Sequence, residues 1–197
     1  MSEHEPWRGP DCKRGIEGQR IAIVGYSHHR DPNHEDNNLF TNCVLERVAS
    51  GEKIRDSLFP RVPGYFGFEN SAEFWRRVWF FNFIPECIGT SDMKYGVASP
   101  DLIGRAKERF TRILRTERPS IQKVFVFTTK GWSSCPDTVV EGRGGVCLRL
   151  GPQFDKVTWG EYRFGSRTVL AFGLRHPQFA NRDDMTAAVS EALTRHA

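Results

Sequence analysis

Four short apolar runs along the chain predict buried β-strands. They span residues 20–25, 79–85, 123–128 and 168–173. Their apolar residues are continuous rather than alternating, which is typical of strands covered on both faces in a parallel sheet. Each run ends at a glycine, a proline or a polar residue, so a loop is expected at its carboxyl end.

The polar stretches between these runs carry the signals of helices. Residues 39–49 have a helical pattern, and Asn70, Ser99 and Asn181 each precede an amphipathic segment as an N-cap. The helix after Ser99 begins with proline and has a clean apolar stripe through Leu114. Its basic residues are expected on an exposed face: Arg105, Arg109, Arg112 and Arg115.

Three remaining segments are expected to lie outside regular structure. Residues 61–68 and 133–166 contain glycine and short irregular runs, which favours loops. Residues 1–19 are polar and predict a flexible amino-terminal arm before a single domain over residues 20–197. Strands that alternate with helices predict an α/β fold, here a three-layer α/β/α sandwich with a central, mostly parallel four-stranded sheet.

The composition fits a globular chain, with 39% hydrophobic residues and 12% aromatic residues in 197 positions. No apolar run approaches the roughly 18 residues of a membrane span, and the polar start argues against a secretory signal. A cytoplasmic location, no membrane partner and a monomer are therefore expected. The five cysteines form no C-x-x-C pair, which favours reduced thiols and predicts no metal. The net charge of +4 permits a DNA partner without requiring one.

The residues around the ends of the four runs carry the candidate chemistry. The first run ends in Gly-Tyr-Ser-His-His over residues 25–29, and the second contains Asn82. The third is followed by Lys130, and the fourth by His176 and Pro177. Because the carboxyl ends of parallel strands meet at one edge, where open α/β sheets bind ligands, these residues are expected to lie together.

In their order and approximate spacing these segments resemble the uracil-DNA glycosylase superfamily over residues 20–195. The resemblance implies that Phe40 stacks on a target base and that the Asn82 amide pairs with the base edge. It implies that His176 donates a hydrogen bond to the base carbonyl as the glycosidic bond breaks. It also implies a pocket-shaping, water-holding loop made of Gly25, Tyr26, Ser27, His28 and His29.

The chain departs from the family pattern in this loop and after the last strand. Ser27 stands where the family has a water-positioning Asp, and His29 where the family has a Tyr that excludes a 5-methyl group. A serine can orient water but carries no charge, so slow cleavage or an unusual substrate is expected. The segment after His176 differs from the family's intercalation motif. The implied DNA contacts are Lys130, Arg175, Gln178 and Phe179.

The same chemistry follows from physical principles. Cleavage of a pyrimidine from its sugar leaves negative charge on the base, and a neutral imidazole that donates a hydrogen bond stabilises that charge. A carboxamide offers both a donor and an acceptor to the base edge. A phenyl face adds roughly 1–3 kcal/mol of stacking per base, and a base in a duplex must first be flipped out. The favoured function is a DNA glycosylase-like hydrolysis of an N-glycosidic bond, with no cofactor.

Two other functions stay open. The same pocket could hold a base without cleaving it, as a binding module, because Ser27 carries no charge. A metal-dependent hydrolase is the third candidate, since imidazole and carboxylate suit zinc or manganese. Its possible ligands are His28, His29, Asp31, His34, Glu35 and Asp36. The site residues also have structural explanations, with His176 and Asn82 as hydrogen-bonded structural residues and Phe40 and Phe179 as core residues.

Overall fold

The fold is known from a computed structural model that describes residues 3–29, 35–54, 58–89, 96–136, 143–148 and 157–195. Its centre is a mixed β-sheet. The strands are β1 (Trp7–Arg8), β2 (Ile21–Gly25), β3 (Trp79–Asn82), β4 (Lys123–Val126), β5 (Arg143–Leu148), β6 (Val157–Phe164) and β7 (Arg167–Gly173). They form one seven-stranded sheet in the order β1-β3-β2-β4-β7-β6-β5.

The four predicted runs form the parallel part of this sheet. β3, β2, β4 and β7 are neighbours in that order, and each neighbouring pair is parallel. The register pairs Gly25 with Asn82 and Val126 with both Val24 and Gly173. The carboxyl ends of all four strands therefore lie level at one edge of the sheet, as the sequence predicts.

The sheet is larger than the four strands expected. β1 adds an antiparallel strand beside β3, and β6 and β5 extend the other side antiparallel to β7. β6 lies within residues 133–166, for which a loop was expected. Gly165, with a φ of 62°, makes the tight turn that returns the chain from β6 to β7. The four-strand count is therefore wrong, while the mixed α/β class is confirmed.

Within the described residues six helices accompany the sheet, and the predicted N-caps are confirmed. The side chains of Asn70, Ser99 and Asn181 each accept hydrogen bonds from backbone N–H groups of the first helical turn. Within the described part of the chain, no helix is both long and apolar enough to cross a membrane. The helices are α1 (Phe40–Ala49), α2 (Leu58–Tyr65), α3 (Ser71–Arg76), α4 (Pro100–Thr116), α5 (Thr129–Ser134) and α6 (Arg182–Thr194).

Helix α2 replaces much of the loop expected over residues 61–68. It continues through Pro63, which cannot donate a hydrogen bond to the Phe59 carbonyl one turn earlier. That carbonyl instead accepts hydrogen bonds from Trp75 Nε1 at 3.0 Å and from Ser71 Oγ at 3.2 Å. Side chains of α3 thus replace the bond that proline removes, which is why the segment remains helical.

Two separate apolar cores lie on the two faces of the sheet. Alternate residues of β2 belong to different cores, with Ile21 and Ile23 in one and Ala22 and Val24 in the other. The first core includes residues of α1, α2, α3 and α6, and the second includes the apolar stripe of α4. The continuous apolar pattern of the predicted strands is therefore explained by burial on both faces.

The amino-terminal segment is packed against the domain, so the expected flexible arm is wrong for residues 3–19. The His4 backbone N–H donates to the Pro85 carbonyl at 2.8 Å, and Trp7 is only 8% exposed. Arg8 donates two hydrogen bonds to the Glu117 carboxylate, at 2.6 and 3.0 Å. Cys12 and Ile16 are buried further along.

Arg109 of α4 is buried, so the exposed basic face expected for this helix is wrong at that position. Its Nη1 donates to the Asn82 carbonyl at 3.0 Å, and its Nη2 donates to the His4 carbonyl. Burial lowers the pKa of Arg109 from the usual value of an arginine to about 10, so the guanidinium remains charged at neutral pH. The side chains of Arg105 and Arg112 are 52% and 57% exposed, as expected.

We expect Arg109→Met to lower the free energy of unfolding by about 2–4 kcal/mol, because two buried carbonyls lose a charged donor. Urea denaturation measures this loss. The control is Arg112→Met, which removes an exposed guanidinium from the same helix and should change stability by no more than about 0.5 kcal/mol. Equal losses in the two variants would contradict the bridging role of Arg109.

Candidate functional site

One cavity of about 310 Å³ lies where the four parallel strands end. Open α/β sheets bind their ligands at this edge, and typical small-molecule sites occupy about 300–1,000 Å³. The cavity is lined by Gly25, Tyr26, Ser27, His28, His29, Leu58, Phe59, Phe80, Asn82, Gly96, Thr128, Lys130, His176, Gln178 and Phe179. It therefore brings together every predicted site residue except Phe40 and Arg175.

Gly25 and Asn82 lie side by side at the ends of paired strands. A Cβ atom on residue 25 would stand 2.2 Å from Asn82 Oδ1, so only glycine leaves the amide its position. Asn82 is 5% exposed, and its side chain lines the cavity. Its amide makes no hydrogen bond to any residue that the structure describes, so its donor and acceptor are left for a ligand.

His176 follows β7 and is the N-cap of a 3-10 turn over Pro177–Phe179. Its Nδ1 accepts a hydrogen bond from the Gln178 backbone N–H at 3.3 Å. A ring nitrogen that accepts carries no proton, so the proton of the neutral imidazole is on Nε2. Arg61 of α2 donates to the Pro177 carbonyl at 2.7 Å and holds the turn in place. His176 therefore has a structural role as the cap of this turn, and its neutral form carries the proton on Nε2.

The rim of the cavity is polar, basic and aromatic. Phe179 is 64% exposed, which excludes it from the core, and its ring centre lies 6.1 Å from that of His176. Lys130 Nζ lies 4.8 Å from the ring centre of Tyr26. Gln178 is also exposed here, and Arg175 is exposed one residue before His176 without lining the cavity.

Phe40 supports the cavity from behind and does not line it. Its ring is stacked on His4, with centres 5.5 Å apart and planes at 15°, and it is tilted against His28 at 5.1 Å. Both contacts are with imidazoles. The aromatic side chains that line the cavity are instead Tyr26, Phe59, Phe80 and Phe179, besides the histidines.

His28 is a neutral imidazole in the cavity wall. Its pKa is lowered from 6.5 to about 3, mainly by burial and to a smaller extent by the neighbouring His4. Its Nε2 lies 3.0 Å from the hydroxyl oxygen of Thr41, which is buried. His28 can therefore exchange hydrogen bonds with a ligand but carries no charge at neutral pH.

The rest of the loop over residues 25–29 offers hydroxyl groups to the cavity. The Tyr26 hydroxyl is buried and lacks a hydrogen-bond partner in the described part of the chain. Ser27 is half-buried and lines the cavity, and no described residue hydrogen-bonds its hydroxyl, so this hydroxyl is available to water or a ligand. His29 is exposed at the rim.

Among the described residues, the ligands considered for a metal-dependent hydrolase (His28, His29, Glu35 and Asp36) do not form a common metal-binding group. His28 pairs with Thr41, and Asp36 Oδ1 lies 2.5 Å from His4 Nε2. Asp31 and His34 lie outside the described residues. Burial opposes ionisation of Asp36, but hydrogen bonds from His4 and Cys87 outweigh it and lower the pKa of that carboxyl. Among the described residues, the group that could hold a metal is His4, Asp36 and Cys87.

Several residues that shape the site carry no local signal in the sequence. Leu58 and Phe59 line the cavity from the first turn of α2, a helix that the sequence does not predict because a loop is expected over residues 61–68. Arg61 acts only through the turn it holds. Thr128 is the exception, because it ends a predicted strand, lines the cavity and caps α5 with its hydroxyl.

Comparison of the chain with protein-family models, with curated proteins and with solved structures gives no match. The chemistry of the site therefore has to be inferred from its own residues and geometry.

The pKa of His28 predicts a specific pH dependence of stability. The unfolded chain takes up a proton at this residue below pH 6.5, whereas the folded chain does so only near pH 3. The contribution of a neutral His28 to the free energy of unfolding is thus complete above pH 6.5. It is lost as the pH falls toward 3, at about 1.4 kcal/mol per pH unit. We expect His28→Gln, which keeps a partner for Thr41, to lose less stability on acidification than the unmodified chain.

Urea denaturation between pH 7 and pH 4 measures the difference between the two chains. His29→Gln is the matched control, because it makes the same change at an exposed neighbour and should follow the unmodified chain. A constant difference between His28→Gln and the unmodified chain across this range would contradict the assigned pKa.

Proposed function

We propose that the chain binds a nucleobase of DNA in the cavity and hydrolyses its N-glycosidic bond. The observation that carries this proposal is the meeting of the Asn82 amide and the His176 imidazole in the wall of one cavity, although they are far apart in sequence. One group can pair with the edge of a planar base, and the other can stabilise its departing negative charge.

Recognition of the base is assigned to Asn82. Its amide has a donor and an acceptor, is almost fully buried, and makes no hydrogen bond to a described residue. A ligand that displaces water from this amide has to supply the complementary donor and acceptor, because an amide left unpaired by the bound ligand costs about 1–3 kcal/mol. Such a site favours a base whose edge presents N–H beside C=O and rejects the inverted pattern.

Bond cleavage is assigned to His176, with water held by Ser27. The C1′–N bond breaks with its electron pair on the base, and Nε2–H of His176 donates to the base carbonyl that gains the charge. Water held by the Ser27 hydroxyl adds to C1′ and releases a proton to solvent. A neutral donor suits this step, because its hydrogen bond stabilises the anionic base most strongly in surroundings that are poor in water.

DNA is the proposed partner because of the rim. Lys130 supplies a positive charge for a phosphate, Gln178 supplies an amide, and Phe179 supplies an exposed ring that can enter a base stack. Arg175 is exposed beside them. A base must leave the duplex before it reaches the cavity, and an inserted ring compensates for the lost stacking.

The resemblance to the uracil-DNA glycosylase superfamily supports the same proposal. In that comparison the parallel strands β3, β2, β4 and β7 form the middle layer of a three-layer α/β/α sandwich, and β1, β5 and β6 are additions at its sides. The helices on both faces of the sheet are compatible with this arrangement. We propose a cytoplasmic monomer that acts without a cofactor.

Cleavage is tested with duplex and single-stranded oligonucleotides that each contain one uracil, thymine mismatch or damaged base. We expect alkali-labile abasic sites with at least one of them. His176→Asn should reduce their formation about 10²–10³-fold, because the variant loses the Nε2–H donor. Asparagine can still cap the turn at residue 176, so the fold is expected to persist.

The alternative is a module that binds a base and does not cleave it, which the uncharged Ser27 favours. Its signature is a gel shift with the same oligonucleotides and no abasic product at any enzyme concentration. Abasic product in the His176→Asn variant at the unmodified rate would also contradict the catalytic assignment.

A second test concerns the water. Ser27→Asp places a carboxylate where the uracil-DNA glycosylase superfamily has one, and we expect it to raise base release about 100-fold, the low end of a typical general-base contribution. His29→Asp is the matched control, because it adds the same charge to an exposed rim residue and should not raise the rate. A folded Ser27→Asp variant with an unchanged rate would contradict the water-holding role of this loop.

A further inference from the structure

Three segments of the chain bring metal-binding side chains together next to His28 and Phe40, outside the cavity. His4 comes from the amino-terminal segment, Asp36 from the stretch before α1, and Cys87 from the stretch after β3. One donor atom from each lies within 4.8 Å of the others. His4 is 2% exposed, whereas Asp36 and Cys87 are half-buried, so an ion has a route to the group from solvent.

The backbone holds all three residues in place. The His4 N–H donates to the Pro85 carbonyl at 2.8 Å, and the next residue donates to the Asn38 carbonyl at 2.7 Å. The Cys87 N–H donates to Asp36 Oδ2 at 3.2 Å, which leaves Oδ1 directed at His4 Nε2. The backbone bonds therefore fix the three segments without using the donor atoms, while the hydrogen bonds of Asp36 to the His4 and Cys87 side chains hold the donor atoms close to one another.

The donor set identifies the class of ion. Nitrogen, oxygen and sulfur donors together suit Zn²⁺, which takes tetrahedral sites with bond lengths of about 2.0–2.3 Å. Such bonds place the donor atoms about 3.3–3.8 Å apart. The observed pair of His4 and Asp36 would open from 2.5 Å, and Cys87 would move inward. Hard ions such as Mg²⁺ prefer oxygen donors alone, so the thiol argues against them.

We propose that His4, Asp36 and Cys87 bind Zn²⁺, with water in the fourth position, and that this ion fixes the amino-terminal segment to the wall of the cavity. Zn²⁺ replaces the thiol proton of Cys87, which passes to solvent, and it replaces the hydrogen bond between His4 and Asp36. No electron is transferred. The ring of His4 stacks on Phe40 and lies 5.6 Å from that of His28, so the ion orders residues that support the cavity.

This inference is independent of the proposed function. None of the three ligands lines the cavity, and the ion acts on no substrate atom. Zinc binding can therefore succeed or fail whether or not the chain cleaves a glycosidic bond.

The test uses Co²⁺ as a spectroscopic probe in the full chain after treatment with chelator. We expect one Co²⁺ per chain, visible d–d bands of tetrahedral cobalt and a near-ultraviolet band from thiolate-to-cobalt charge transfer, all displaced by Zn²⁺. Cys87→Ser should remove the charge-transfer band. Asp36→Asn should weaken Zn²⁺ binding by at least the roughly 10–100-fold that loss of an outer partner causes.

Cys43→Ser is the matched control, because Cys43 is a free and exposed cysteine of α1. It should bind cobalt with the unmodified spectrum and stoichiometry. Zn²⁺ should raise the melting temperature of the unmodified chain and of Cys43→Ser, and should leave that of Cys87→Ser unchanged. Absence of one-to-one binding in the unmodified chain would overturn the proposal. A charge-transfer band that persists in folded Cys87→Ser would also overturn it.

Discussion

A single buried guanidinium connects the parts of the molecule that form the site. Arg109 binds the carbonyl of Asn82, the last residue of β3, and the carbonyl of His4 in the amino-terminal segment. The Arg109 Cζ atom also lies over the ring of Phe81, 5.6 Å from the ring centre. Because the charge is buried, it is stable only while both carbonyls remain in position. Arg109 therefore connects the carboxyl edge of the sheet to the amino-terminal segment around His4.

The cavity depends on the level ends of four parallel strands. This register places an amide, an imidazole and the loop over residues 25–29 around one space, although no two of them share an element of secondary structure. Burial then sets their chemistry. It keeps His28 uncharged, and a backbone hydrogen bond assigns the proton of His176 to the nitrogen that does not cap the turn. The site thus consists of neutral hydrogen-bonding groups with a basic rim.

The sequence predicts those parts of the fold that have strong local patterns. Continuous apolar runs identify the parallel strands because burial on both faces leaves no alternation, and Asn70, Ser99 and Asn181 identify helix starts because caps are local. The strand ends then place Gly25, Asn82 and His176 at one edge. These predictions need no knowledge of distant contacts.

The errors come from interactions between distant segments. Pro63 argues against a helix until Trp75 and Ser71 replace the missing hydrogen bond. Arg109 looks like a surface residue until its two carbonyl partners are known, and His4 looks like part of a loose arm. Phe40 keeps its aromatic environment but faces histidines rather than the cavity. In each case the partner is more than ten residues away, beyond the reach of helix or strand periodicity.

The packed amino terminus has a practical consequence. Removal of only the first few residues, by a protease or by trimming during purification, would take away the backbone oxygen that accepts a hydrogen bond from Arg109 and the ring that stacks on Phe40. The lining of the cavity would remain intact in sequence while its support was lost. A preparation shortened in this segment could thus be pure and of nearly full mass and still lack the contacts that support the cavity.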